Sequence, residues 1–129
     1  MDTRDLLVDT SIIIDHLRKK NKRKSQLYRI IDTYNLFVSS ISIYELFAGA
    51  IDEQKRRDIY DFIDLVEILP FTREAAERAG EIYLSLRDKN KLIDFRDIFI
   101  GATALIQNLP LMTLNVNHFE RIDTLKIFH

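Results

Sequence analysis

The chain contains no cysteine and has few glycines and prolines, three and two respectively. The lack of cysteine excludes disulfide bonds, thiolate metal centres and cysteine nucleophiles. The scarcity of glycine and proline argues against a loop-rich all-β fold and against disorder. The three histidines are scattered, and no pair has the spacing of a zinc-binding helix. No apolar run approaches the length of a membrane span and no secretion signal is evident, so we expect a cytoplasmic location without membrane contact.

The composition that remains is typical of a globular protein, with 47% hydrophobic and 30% charged residues. A chain of 129 residues can bury roughly two thirds of the surface that its unfolded form exposes. We therefore predict one domain covering residues 1–129. The net charge of −1 neither favours nor excludes a nucleic-acid partner.

One segment carries a dense charge of a single sign. The stretch RKKNKRK, from Arg18 to Lys24, places six cations in seven positions. Such a run is most often a solvated loop or a frayed helix end. The alternative is a surface that contacts phosphate groups. The candidate RNA-binding residues are then Arg18, Lys19, Lys20, Lys22, Arg23 and Lys24.

Short apolar segments alternate with helical patterns along the chain. The segments typical of strands are 5–9, 35–39, 67–70, 111–114 and 124–128. The segments with helical spacing or helix-start residues are 12–19, 25–33, 42–51, 53–65, 72–89 and 94–107. This alternation predicts a three-layer α/β/α sandwich with a mainly parallel central sheet.

Three acidic residues lie where strands end or helices begin, each within an apolar frame: Asp9, Glu45 and Asp97. In parallel sheets, ligands gather beyond the carboxyl ends of the strands. Carboxylates held together there repel one another unless a positive group joins them. A hard divalent cation such as Mg²⁺ or Mn²⁺ prefers oxygen ligands, so the three acids predict a metal-dependent enzyme acting on phosphate esters.

Each acid also has a purely structural interpretation. Ser42 and Glu45 have the spacing of a capping box. Asp94 has the position of a helix cap, which places Asp97 in the first turn, where it favours the helix macrodipole. Asp9 can satisfy amide groups at the end of a strand. The coincidence of all three at one edge of the sheet favours the site.

The order of four segments resembles the PIN-domain ribonucleases, most closely the VapC toxins of toxin–antitoxin pairs. The segments are VDTSIIID, SISIYELFAGA, IDFRDIFIGATAL and LMTLNVNHFERI. The resemblance implies a parallel sheet flanked by helices and an acidic pocket that binds Mg²⁺ or Mn²⁺. It also implies an RNA substrate, a homodimer, and a cognate antitoxin whose tail occupies the active site.

Carried over by position, the resemblance implies that Asp9, Glu45 and Asp97 are the catalytic and metal-binding acids. The expected supporting residues around them are Ser11, Thr113 and Asn115. The family often has a fourth carboxylate at the position of Asn115 or of His118, and this chain has neither. Asp94 is a nearby acid that could substitute, although a helix cap is its better interpretation, and Asp15 is expected to be peripheral. An exposed aromatic such as Tyr44 could stack on a base or pack in a core or interface.

Other functions fit the sequence less well. Aspartyl-phosphate phosphatases need a second aspartate two residues after the first, where this chain has Ser11. Phosphoreceiver domains need an early acidic pair and a late lysine, which are not evident. No G-x-S-x-G elbow or glycine-rich phosphate loop occurs. The remaining alternative is a PIN-like RNA- or protein-binding module that has lost activity.

Overall fold

The structure of the chain, a computed structural model, describes residues 2–129. Four strands form one sheet in the order β3-β2-β1-β4, and every neighbouring pair is parallel. The strands are β1 (Asp5–Val8), β2 (Asn35–Ser39), β3 (Glu67–Leu69) and β4 (Leu111–Met112). The helices are α1 (Thr10–Arg18), α2 (Ser40–Ala48), α3 (Glu53–Ile63), α4 (Arg73–Asp88), α5 (Phe95–Gln107) and α6 (Val116–Phe119).

The central strand β1 is buried on both faces, as its unbroken apolar run predicts. Leu6 and Val8 point into one hydrophobic cluster, which helices α1 and α3 cover. Leu7 points into a second cluster on the opposite face, which α4 and α5 cover. Helices on both faces of a parallel sheet make three layers, so the predicted fold class is confirmed.

The predicted helix over residues 25–33 is wrong, because that segment consists of turns. Backbone bonds within the segment join residues three apart, as in turns: the Ile30 N–H donates to the Leu27 carbonyl at 3.1 Å, and the Thr33 N–H donates to the Ile30 carbonyl at 3.0 Å. Leu27 and Ile30 are nevertheless buried. The apolar spacing therefore identified core positions but not their backbone conformation.

The predicted helix over residues 42–51 begins earlier and ends earlier. Its N-cap is Ser39, whose hydroxyl accepts from the Ile41 N–H at 3.0 Å. Ser42 thus lies inside α2, and the capping-box interpretation of Ser42 and Glu45 is wrong. Glu45 occupies the second turn of the helix rather than the first.

The end of the chain has less strand than predicted. Segment 124–128 contributes one parallel bridge, between Leu111 and Ile127, and β4 ends at Met112. The short helix α6 follows, which the sequence patterns did not predict. Within residues 2–129, no helix combines the length and apolarity needed to cross a bilayer.

Candidate active site

Asp9 lies at the carboxyl end of β1 and serves as the N-cap residue of α1. The residue is only 2% exposed. Its Oδ2 atom accepts hydrogen bonds from the hydroxyls of Ser11 and Thr113, each at 2.8 Å. These two bonds fix the carboxylate at the centre of the sheet edge.

The connection between β4 and α6 is tied to Asp9 through the same hydroxyls. Ser11 Oγ accepts from the Leu114 N–H at 3.0 Å, and Thr113 Oγ1 accepts from the Asn115 N–H at 2.9 Å. The Asp9 N–H donates to the Met112 carbonyl at 2.9 Å. Three backbone positions of this late segment are therefore held in place by the first acid and its neighbours.

The second oxygen of Asp9 remains available to a ligand. Oδ1 accepts no hydrogen bond from the described residues, since both side-chain bonds go to Oδ2. No fully buried side-chain nitrogen or oxygen atom in residues 2–129 lacks a partner. Oδ1 must therefore reach solvent, although the rest of Asp9 is buried.

Glu45 lies on α2, the helix that directly follows strand β2. Its Oε1 accepts from the Thr10 hydroxyl at 2.9 Å, and Thr10 Oγ1 lies 2.7 Å from the buried Ser42 hydroxyl. Burial raises the pKa of Glu45; the Thr10 hydrogen bond opposes this rise, and the charge of Asp9 adds to it. Glu45 is thus a desolvated carboxylate within the electrostatic reach of Asp9.

Asp97 is the third residue of α5 and is mostly buried, with its side chain 16% exposed. Burial and then the charge of Asp9 raise the pKa of Asp97 to about 6. Nδ1 of His118 lies 3.4 Å from Asp97 Oδ2, and this contact partly offsets the rise. Desolvation and repulsion thus outweigh the helix macrodipole, which would lower the pKa of an acid in the first turn.

The charge of Asp9 raises the pKa of both Glu45 and Asp97, so both carboxylates lie within its electrostatic reach. The donor set of three carboxylates suits a hard divalent cation. In the part of the chain that is described, no three acidic or histidine side chains stand close enough to form a ready cation site.

The other predicted site residues differ in how closely they contact the acids. Ser11 and Thr113 bond directly to Asp9, whereas Asn115 contributes its backbone N–H and its side chain is exposed. Asp94 is the N-cap of α5, accepting from the Arg96 N–H at 2.9 Å. Asp15 accepts from the Gln26 N–H and pairs with Lys19, which agrees with a peripheral position.

The basic run forms the end of α1, a short 3₁₀ turn (Lys22–Lys24) and the residues between them. All of its residues are exposed. Lys19 pairs with Asp15 at 3.5 Å, and the Lys22 ammonium donates to the Leu17 carbonyl at the end of α1. Within residues 2–129, the other four cations form no ion pair: Arg18, Lys20, Arg23 and Lys24.

Two residues near the acids were missed by the sequence analysis. Thr10 follows Asp9 directly and bonds to Glu45, so its place next to the first acid was an available signal. Arg96 lies beside Asp97, and its charge acts on Glu45. Nothing in the sequence separates Arg96 from the other arginines, because its role depends on where α5 meets α2.

Comparison with known proteins identifies the family to which the chain belongs. A sequence model of the PIN domain matches residues 6–125. Ribonuclease VapC1 of Methanocaldococcus jannaschii is 33% identical over 125 residues, covering 95% of this chain and 86% of that protein. A Ribonuclease VapC of Rickettsia bellii is 35% identical over 130 residues, covering 95% and 93%. The DNA-bound VapBC structure from Salmonella typhimurium matches with a TM-score of 0.85 and 26% identity over 96% of each chain. These matches confirm the resemblance drawn from the four sequence segments, and the chain belongs to the PIN-domain family.

Proposed function

We propose that the chain is a Mg²⁺- or Mn²⁺-dependent ribonuclease that hydrolyses RNA phosphodiester bonds as the toxin of a toxin–antitoxin pair. The observation that carries the proposal is the buried Asp9, whose charge acts on two further desolvated carboxylates at the sheet edge. The relatives named Ribonuclease VapC support the same activity.

The residues present fit a hard divalent cation. Asp9 offers Oδ1, which reaches solvent, while Glu45 and Asp97 are carboxylates whose proton affinity is raised by burial and by Asp9. A cation among them would relieve the mutual repulsion that the structure contains. When bound, the ion would polarise a phosphodiester oxygen and lower the pKa of a bound water.

The chain's own residues supply position and proton acceptance. Asp9 would be the fixed ligand, since Ser11 and Thr113 hold its Oδ2 in one orientation. Asp97 would complete the ligand set. Glu45, kept in place by Thr10, is suited to orient the attacking water and accept its proton, because a raised pKa makes a carboxylate a better base. Attack then forms one P–O bond to the water oxygen and breaks the bond to the leaving oxygen.

The basic run Arg18–Lys24 is proposed to attract RNA to this acidic site. Four of its six cations make neither an ion pair nor a side-chain hydrogen bond within the described chain, which leaves their charge available to phosphate groups. Arg18 also lines the groove of about 160 Å³ between α1, α2 and α3, which Glu45 borders. The run therefore begins next to the acids rather than on a remote surface.

We also propose partners and context. The matched structures include VapBC of Salmonella typhimurium and a toxin–antitoxin complex of Klebsiella pneumoniae, which supports a cognate antitoxin as partner. A homodimer, a cytoplasmic location and a single nuclease domain over residues 1–129 complete the proposal.

The direct test replaces the central acid. Asp9→Asn removes one charge and changes little in size, so we expect loss of metal-dependent cleavage of single-stranded RNA with the fold retained in circular dichroism. Mg²⁺ should raise the Tm of the wild type and not of the variant, because a ligand stabilises only the state that binds it. The matched control is Asp61→Asn, an exposed acid on α3, which should cleave as the wild type does.

Two outcomes would contradict the proposal. Undiminished cleavage by Asp9→Asn would remove Asp9 from the catalytic site. RNA binding without cleavage by the wild type, in the presence of Mg²⁺ or Mn²⁺, would favour the alternative of an inactive RNA- or protein-binding module. The absence of a carboxylate at Asn115 and His118 is the feature that favours this alternative.

A further inference from the structure

Arg96 is held rigidly at the start of α5 by a single carboxylate. Its Nε and Nη2 atoms each donate to an oxygen of Asp94 at 2.9 Å, and its backbone N–H donates to Asp94 Oδ1 at 2.9 Å. Two side-chain bonds in parallel fix a planar guanidinium in orientation as well as position. Asp94 also raises the pKa of Arg96 further above its ordinary value, so the charge is permanent.

The two side-chain hydrogen bonds to Asp94 leave three of the five guanidinium N–H groups available. An arginine side chain has five N–H groups, and Asp94 accepts from two of them. The two N–H groups of Nη1 and the second one of Nη2 have no acceptor within residues 2–129, and the side chain is 42% exposed. An exposed ion pair contributes little to stability by itself, so stability alone does not account for the arrangement.

Arg96 lies at the acidic site rather than on a remote surface. Its charge and that of Glu45 act on one another, and Asp97 is its direct neighbour in α5. Two exposed aromatic residues lie on the same two helices as Arg96 and Glu45. The Phe95 ring centroid lies 5.6 Å from the guanidinium carbon, and Tyr44 directly precedes Glu45 in α2. Phe95 is 61% exposed and Tyr44 is 64% exposed.

We propose that Arg96, oriented by Asp94, binds a phosphate of the RNA at the mouth of the site, and that Phe95 and Tyr44 stack on the adjoining bases. The inference rests on the proposed ribonuclease function and adds how that site receives its substrate. A pocket of carboxylates repels a phosphodiester, and a fixed guanidinium beside it offsets that repulsion. Guanidinium groups recognise phosphate oxygens in pairs, and exposed aromatic rings stack on unpaired bases of any sequence.

The test measures binding apart from cleavage. In the Asp9→Asn background, affinity for a short single-stranded RNA is measured at several salt concentrations. Arg96→Gln should weaken binding about tenfold and reduce the slope of log affinity against log salt by about 0.7, the value for one phosphate contact on a single strand. Arg96→Lys should recover part of the salt slope and little of the affinity, since it keeps the charge and loses the fixed pair of donors.

A matched control separates a specific contact from a general change in charge. Arg73 is an exposed arginine on α4 that pairs with Glu77 at 2.9 Å, and Arg73→Gln should leave affinity and salt slope unchanged. With Asp9 intact, the double variant Tyr44→Ala/Phe95→Ala should raise KM for RNA by about tenfold and lower kcat less, because stacking contributes to binding in the ground state.

The outcomes distinguish failure of this inference from failure of the proposed ribonuclease function on which it rests. Equal RNA affinity and salt slope for Arg96→Gln and Arg73→Gln would overturn the inference even if the wild type cleaves RNA. Weaker binding by Arg96→Gln in a protein whose wild type never cleaves RNA would support the inference and contradict the proposed activity. Arg96→Lys keeps the comparison informative if Arg96→Gln fails to fold.

Discussion

Asp97→Asn should make the metal-free protein more stable at neutral pH. The pKa of Asp97 rises from 3.8 to about 6 in the folded chain, because burial and the charge of Asp9 disfavour its ionised form. Between these values the folded state binds more protons than the unfolded state, so stability falls as pH rises from about 4 through 6. Asparagine has a similar shape and does not ionise, so the variant avoids this loss.

The size of the effect follows from the pKa and the exposure of the side chain. At 1.36 kcal/mol per pH unit, the raised pKa corresponds to about 3 kcal/mol. Solvent reaches 16% of the Asp97 side chain, and screening reduces the expected gain to about 1–2 kcal/mol. For a chain of this length, that gain raises Tm by about 4–8 °C.

Thermal unfolding followed by circular dichroism in EDTA, from pH 4 to pH 8, measures the difference. The two proteins should have equal Tm near pH 4 and should diverge through pH 6. The control is Asp61→Asn, which should stay parallel to the wild type throughout. A variant that is less stable than the wild type at pH 7.5 would refute the account of Asp97 as a desolvated, repelled carboxylate.

Two further predictions concern a hydrogen bond to Asp9 and the packing around two helical glycines. Thr113→Val removes the hydroxyl that donates to Asp9 at 2.8 Å, so RNA cleavage should fall about tenfold, while unchanged kinetics would show that Asp9 needs no second donor. Gly101→Ala would place a Cβ atom 2.5 Å from the Cδ1 atom of the buried Ile122, and the cost of shifting that side-chain end offsets the helix gain of about 1 kcal/mol, so urea unfolding should show no net gain in stability. Gly80→Ala, where a Cβ meets nothing within 4 Å, should instead gain up to about 1 kcal/mol of helix stability; equal effects at the two positions would contradict this packing argument.

The architecture could be predicted from the sequence where apolar spacing and helix-start residues agree. The three-residue apolar run in β1 and the caps Thr72 and Asp94 correspond to the observed elements. Segment 25–33 could not be predicted in this way, because its apolar spacing fits a series of turns as well as a helix. Spacing reports which side chains are buried and does not by itself decide the backbone conformation.

The site was predictable in its acids and less so in what surrounds them. Asp9, Glu45 and Asp97 each lie in an apolar frame of sequence, and that frame is what desolvates them in the structure. Glu45 lies deeper in its helix than expected, because Ser39 rather than Ser42 caps α2. The position of Arg96 depends on the meeting of α2 and α5, which no local pattern encodes.

The hydroxyl of Thr113 bonds to Asp9 across 104 positions of sequence, and this separation has a consequence for synthesis. A chain emerging from the ribosome carries Asp9 long before Thr113, the residue that orients its carboxylate, has been made. Partly synthesised chains therefore contain Asp9, Glu45 and even Asp97 without the support that positions the first of them. The proposed activity would begin only after Thr113 has been translated and has folded against Asp9.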